Sequence, residues 1–312
     1  MSSLTYQIIQ RLNSKKMFGV PKAGEKAKQR EADLIAGNKP NPLRTYGIHS
    51  PGTCDDYKKH ALNFSKWERN EHPEKEFKNL DTMPKEHVRE WLQASIDKGN
   101  SMATTRLKAA SMAKVMGCNN NTFGINLSKK GERDTITRSR GTVEKDKHFS
   151  TENNKEKIAF CEATGLRRSE LEQLLPEQIC IDKEGKVTLD FISKQEYKEM
   201  TKGGRGRTVH PLREKWDVVK EAKENAKKMG RETVFSKVSS AMDVHSYRST
   251  FAQGKYEEAI KDLKDSGKDI KLDYICRDGS GRRYCKIALT IVSHDLGHSR
   301  LDIVVKHYLD IK

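Results

Sequence analysis

The sequence predicts a mainly α-helical chain with a small antiparallel β-sheet: a helical domain followed by a mixed α/β domain. Three observations predict this. Helix-period apolar patterns follow one another from Ser50 to about Gly117. Two strand-like runs, QICID and KVTLDFIS, are joined through the turn DKEG, with GRTVHPL as a possible third strand. Helical patterning then dominates to the C-terminus, interrupted only by LDYICRDGSGRRYCKIA, which reads as a hairpin around Asp278-Gly279-Ser280-Gly281.

Taken in order, residues 1–46 are a basic segment, with nine Lys and Arg against Glu25, Glu31 and Asp33. Leu4, Ile8, Ile9 and Leu12 fit a short amphipathic helix, after which Pro21, Gly37, Pro40 and Pro42 break the pattern. The segment reads as a basic arm or as a disordered, solubilising tail. Residues 47–118 carry three helices. The first has Pro51 at its start and Tyr57, Ala61, Phe64 and Trp67 on one face. The second buries Val88, Trp91, Leu92 and Ile96 and stops at Gly99; the third, SMATTRLKAASMAKVMG, is small and apolar. Residues 119–148 are polar, with few apolar anchors, and read as a linker. From 149 to 312 the second domain begins with KEKIAFCEATG, a helix ending at Gly165. Ser169 and Glu172 fit a capping box for SELEQLL, closed by Pro176.

Composition narrows the function. Sixty Lys and Arg against 44 Asp and Glu give a formal charge of +16, which favours a polyanionic partner, nucleic acid above all, or a merely solubilising surface. The six cysteines (Cys54, Cys118, Cys161, Cys180, Cys276 and Cys285) form no CxxC pair and read as reduced thiols. No apolar run reaches the ~18–20 residues of a membrane span, and the N-terminus lacks the pattern of a signal peptide. A soluble, cytoplasmic protein is expected.

Five short segments of the second domain stand out. TGLRRSEL places Arg167 before a helix start, with Glu170 one turn on. MTKGGRGRTV sets Lys202 at the head of a glycine-rich turn. HSYR puts His245 and Arg248 on one helix face. DLGH places His298 at what reads as a helix beginning. SRLDIVVKHYL carries Leu301, Val304, Val305 and Tyr308 at i, i+3, i+4 and i+7, so Tyr308 points inward with the apolar face. Alone, Tyr308 and His298 would read as core residues and the arginines as surface charges. In this order the segments resemble the tyrosine recombinase family, the integrases of phages and conjugative elements. The resemblance covers roughly 150–308 by motif and 50–117 by architecture.

The resemblance implies a helical core-binding domain and a catalytic domain that form a clamp on duplex DNA. It implies strand cleavage through a 3′-phosphotyrosine, with four protomers exchanging strands on paired sites through a Holliday junction. No metal and no cofactor are implied; a directionality factor is a possible partner. Tyr308 would be the nucleophile, and a phenol, with a reference pKa of about 10, needs help at neutral pH. His245 would take its proton and return it, and Lys202, rather than Lys194 or Lys198, would protonate the departing 5′ oxygen. Arg167 and Arg248 would hold the nonbridging oxygens, where planar guanidinium forks suit developing charge. Glu170 would orient Arg167, and His298 would hydrogen-bond the phosphate. Lys58, Lys59, Arg106, Lys108, Lys114, Arg138, Arg140, Arg205 and Arg207 are the expected DNA contacts, and residues 1–46 would read accessory arm sites.

There are departures. His298 and Tyr308 lie ten apart, one more than the commonest family spacing. The interval from Arg248 to Leu296 is long, and its extra length, 252–290, is expected at a protomer or DNA contact. Only four residues follow Tyr308, where relatives continue into a docking tail, so either assembly differs or the chain is cut short. A type IB topoisomerase or a noncatalytic DNA-binding regulator are the alternatives. HDLGH imitates a zinc motif weakly, with Asp295 for the required Glu, and KGGRGR lacks the GK[ST] of a phosphate loop.

Overall fold

The computed structural model describes residues 3–37, 45–73, 79–127, 149–276 and 280–309. The chain divides into two units, residues 1–137 and 138–312. In the first, Ser3 accepts the Tyr6 N–H and starts α1 (Leu4–Asn13), which buries Ile8 and Leu12 one turn apart. α2 (Lys22–Ile35) was not expected between the glycine and proline breaks. Glu25 on its first turn ties it down, accepting the Gly47 N–H at 2.6 Å and pairing with His49. α3 (Pro51–Glu71) opens with Ser50 accepting the Thr53 N–H and Pro51 in the first turn. α4 (Lys85–Asp97) and α5 (Met102–Met116) complete the unit, the latter stopped by Gly117 at φ +69°.

One core joins these helices: Ile8 and Leu12 from α1, Ala61 and Phe64 from α3, Val88, Trp91 and Leu92 from α4, Ala109 and Met112 from α5. Ala109, Ser111 and Ala113 on the inward side of α5 are small, and α3 comes close enough for the Ser111 hydroxyl to donate to the Tyr57 carbonyl at 2.6 Å. α1 is therefore a core element of the unit and not part of a separate basic arm. Lys15, just after it, is buried and donates to the Lys114 carbonyl.

The second unit starts with α6 (Lys155–Thr164), ended by Gly165 at φ +59°. A Cβ at Gly165 would lie 2.2 Å from the Phe251 ring, so the position excludes a side chain on two counts. α7 (Arg168–Gln173) follows at once. Its cap sits two residues before the expected Ser169: the Glu170 carboxylate accepts the Arg167 N–H at 2.9 Å. β1 (Ile179–Ile181), β2 (Val187–Asp190) and β3 (Thr208–Val209) form an antiparallel sheet in that order. Its register aligns Ile179, Leu189 and Val209, all fully buried. Asp182 shapes the DKEG turn by accepting the N–H groups of Glu184 and Lys186. α8 (Gln195–Glu199) lies between β2 and β3, and α9 (Trp216–Lys228) packs over the sheet.

α10 (Val244–Asp265) is capped by Asp243, which accepts the Ser246 N–H. The expected hairpin is present as β4 (Tyr274–Ile275) and β5 (Arg283–Tyr284); residues 277–279 of its turn lie outside the described residues. It is fastened to α10, where Tyr256 OH accepts the Cys285 N–H at 2.9 Å. α11 (Lys286–Asp295) and α12 (Leu301–His307) then pack with α10 around Phe251, Leu289, Val292, Leu296, Val304, Val305 and Tyr308. Among the described residues, no helix is long and apolar enough to cross a membrane.

Candidate active site

The end of α11, the start of α10 and the end of α12 meet around the Tyr308 hydroxyl. Arg248 Nε donates to that oxygen at 3.2 Å, and its guanidinium carbon lies 5.3 Å from the Tyr308 ring centre. The Arg248 Nη1 and Nη2 donate to the carbonyls of Gly165 and Leu296. Ser249 donates to the Tyr308 carbonyl at 2.6 Å, fixing the backbone behind the phenol. Arg248 is only 2 % exposed. That burial pulls its guanidinium down to about 10, opposed by Tyr308, so it stays charged at neutral pH.

His298 Nε2 sits 3.3 Å from the same hydroxyl. Arg248 can only donate, so the phenol oxygen accepts there, and in the tautomer with Nε2 unprotonated His298 accepts the phenol's own proton. The imidazole suits that role. Burial first, then the charges of Arg248, Arg167 and Arg207, push His298 down to about 3, which keeps it neutral. Its place differs from the expected helix start: it follows the end of α11, where Gly297 turns the chain at φ +64° and His298 N–H closes onto the Ser293 carbonyl.

Arg167 is held on three sides. Its Nη1 donates to Glu170 at 2.8 Å, and its Nη2 to the carbonyls of Leu296 and Gly297 at 3.0 and 3.1 Å. Burial alone would raise the Glu170 pKa. The hydrogen bonds and charge of Arg207, then the charge of Arg167, bring it instead down to about 2. His245, on the first turn of α10, is exposed, with its ring 5.1 Å from that of Tyr308. Lys202 stands exposed on the turn before β3, beside Gly203 and Gly204, both at positive φ. The fold thus gathers Arg167, Glu170, His245, Arg248, His298 and Tyr308, while Lys202 makes no hydrogen bond to any of them.

The expected DNA contacts divide by environment. Lys58 and Lys59 are exposed on α3, and Arg205 is exposed near Ser299. Arg106 donates to the Leu127 carbonyl at 2.7 Å, Lys108 to Ser95 at 2.8 Å, and Lys114 to Thr45 and Tyr46. These three are tied to their own unit. Arg138 and Arg140 lie outside the described residues. Arg207 is corrected outright: it is 3 % exposed, its Nη1 and Nη2 grip both oxygens of Glu170, its Nε donates to the Asp295 carbonyl, and it lies over the Phe191 ring. It is not presented to a DNA backbone. Period-2 alternation carries the signal, since Arg207 shares the inward phase of Val209.

Asp295, noted in the sequence only as part of HDLGH, is a second buried anion beside the site. Burial would raise its pKa, but hydrogen bonds from His210 and His294 and the charge of Lys255 hold it below the usual carboxylate range. The two histidines of HDLGH therefore part company: His294 turns to Asp295 and His298 to Tyr308.

No family model matches the chain, and no curated protein does. Among solved structures, the chain is similar to the Tn1549 transposon integrase bound to transposon right-end DNA. That match has 14 % identity and a TM-score of 0.45, covering 94 % of this chain and 96 % of that one. It is also similar to the XerA recombinase, at 12 % identity and a TM-score of 0.31, covering 92 % and 94 %.

Proposed function

We propose that this chain cleaves and rejoins DNA as a tyrosine recombinase, with Tyr308 as nucleophile. One observation carries the reading: the Tyr308 hydroxyl accepts from Arg248 Nε at 3.2 Å and lies 3.3 Å from a neutral His298 Nε2. A cation on the oxygen and a proton acceptor beside it are what a phenol needs to become a nucleophile. Tyr308 Oη attacks phosphorus, the bond to the 5′ oxygen breaks, and a 3′-phosphotyrosine forms. His298, 3.3 Å from the hydroxyl, takes the phenolic proton, and His245, whose ring lies 5.1 Å from that of Tyr308, is the other candidate for that role. Lys202, on its exposed turn, supplies the proton to the departing 5′ oxygen.

Arg167 meets the charge that grows on the nonbridging oxygens, with Glu170 and Arg207 holding it in position, and Arg248, on the Tyr308 hydroxyl, stabilises the charge at the reacting oxygen. Phosphodiester energy is conserved in the phosphotyrosine, so rejoining needs only attack by a 5′-hydroxyl and return of the proton. Lys58, Lys59 and Arg205 serve as phosphate contacts. A clamp on duplex DNA, assembly of four protomers and exchange through a Holliday junction complete the reading.

The test is a suicide-substrate assay on nicked duplexes drawn from a random-sequence pool, with the full chain. A covalent protein–DNA adduct is expected from the wild type and none from Tyr308→Phe. An adduct that persists in Tyr308→Phe overturns the assignment, and relaxation of any supercoiled plasmid without paired sites favours a topoisomerase.

A further inference from the structure

In the helical unit, the end of α3 and the start of α4 bring together side chains that neither the sequence motifs nor the Tyr308 chemistry uses. Glu68 and His72 stand four apart at the end of α3, and His87 and Glu90 stand three apart near the start of α4. α4 thus offers His87 and Glu90 on one face, and α3 offers Glu68 with His72 just past its last residue. His87 Nδ1 lies 2.7 Å from Glu68 Oε1, and His72 Nε2 lies 3.3 Å from Glu90 Oε2. The His72 and His87 rings stack at 4.1 Å, inclined by 14°.

We infer that this cluster is a transition-metal site of the zinc class, with Glu68, His72 and His87 as ligands and Glu90 as the fourth donor. One ligand atom from each of the first three lies within 4.8 Å of the other two. Donors around tetrahedral zinc sit about 2.0–2.2 Å from the metal, hence roughly 3.4 Å from one another. Side-chain rotation on binding brings the donors to that spacing.

Two unsatisfied atoms point to the ligand. Among the described residues, Glu68 Oε2 is buried with no partner, and His72 Nε2 is buried with no hydrogen bond, only the 3.3 Å approach to Glu90 Oε2. Buried polar atoms are rarely left so, and these two belong to one cluster. Pairing of Glu68 with His87 and of His72 with Glu90 accounts for Glu68 Oε1 but leaves Glu68 Oε2 without a partner among the described residues. Imidazole with carboxylate suits zinc and its neighbours, not calcium or magnesium. Glu68 and His87 are nearly sealed, while Glu90 is 52 % exposed and leaves an entry edge.

A second trio, His210, His294 and Asp295, also clusters, but the Lys255 ammonium stands 4.0 Å from Asp295 Oδ2 and competes there with a metal cation. The inference is thus for the α3–α4 site alone, and it does not rest on the recombinase reading.

The test uses the full chain, stripped with a chelator and titrated with cobalt(II) and then zinc(II). One equivalent per chain is expected, with the visible absorption of a tetrahedral cobalt complex that zinc abolishes, and with a zinc-dependent rise in Tm. His72→Gln, at the partly open helix end, is expected to weaken binding at least tenfold. Glu90→Gln is expected to weaken it less, and His210→Gln not at all. Absence of stoichiometric binding by the wild type overturns the inference without recourse to any variant. So does undiminished binding by His72→Gln, or binding that disappears in His210→Gln.

Discussion

Arg207 lays Nη1 and Nη2 on the two oxygens of Glu170, at 2.9 and 2.8 Å, in a pocket closed to solvent. The same carboxylate takes Arg167, so one buried anion fixes two guanidiniums. Removing one partner of a buried pair strands the other charge, at a cost of about 3–5 kcal/mol. Arg207→Ala is therefore expected to lower unfolding free energy by about that amount in urea titrations. Arg207→Lys recovers little of it, because an ammonium cannot form the fork.

The same pair sets an acid limit. Glu170 has its folded pKa depressed to about 2 from an ordinary 4.5. Its contribution is present above pH 4.5 and is lost as pH falls from there towards 2. At about 1.36 kcal/mol per unit, it amounts to about 3 kcal/mol. Unfolding titrations between pH 5 and 2 are expected to show this loss in the wild type and a smaller one in Glu170→Gln.

His298 is held neutral, with its folded pKa depressed to about 3. Its ring resonances are expected not to titrate between pH 5 and 8, where an ordinary histidine does. Stability linked to this group is present above pH 6.5 and declines as pH falls towards 3, since only the unfolded chain takes up the proton. A midpoint near 6.5 for His298, read by NMR, would falsify the proton-acceptor role assigned to it.

Exposed and anchored lysines are expected to behave differently on DNA. Lys58→Ala and Lys59→Ala should each reduce the slope of log affinity against log salt by roughly 1, with Tm unchanged. Lys114→Ala removes donors from the Thr45 and Tyr46 carbonyls and is expected to lower Tm first. Fluorescence anisotropy over a salt series and thermal melts separate the two behaviours.

Gly165→Ala combines a left-handed backbone with a Cβ placed against the Phe251 ring. A loss of roughly 2–4 kcal/mol is expected, from backbone strain and overpacking together. The same unfolding titration checks it, and a neutral result means that Phe251 repacks.

The sequence made some of this legible and hid the rest for physical reasons. Helix periodicity announced α3, α4, α5 and α12, because an apolar stripe must face a core. Strand alternation announced β1 to β3. The inward turn of Tyr308 followed from the spacing of Leu301, Val304 and Val305. The docking of α1 was hidden, because an amphipathic helix does not name its partner. So was the difference between Arg205 and Arg207: identical side chains two apart, one exposed and one buried. His298 was misplaced by one element because Gly297 reads equally well before a helix or after one. The Glu68–His72–His87 cluster joins two helices and has no signature in either alone.

Arg167 Nη2 and Arg248 Nη2 both donate to the carbonyl of Leu296. That oxygen is a yoke. Because it belongs to a peptide unit and not to a side chain, no substitution at position 296 removes it, and it carries no proton to lose. The two guanidiniums are harnessed to the end of α11 and travel with it as a pair. What can unhitch them is the shape of the turn: a Cβ on Gly297 would approach Arg207 to 3.0 Å in a backbone region made for glycine. The most economical way to disarm this site without touching a single charged residue is therefore one methyl group on that glycine.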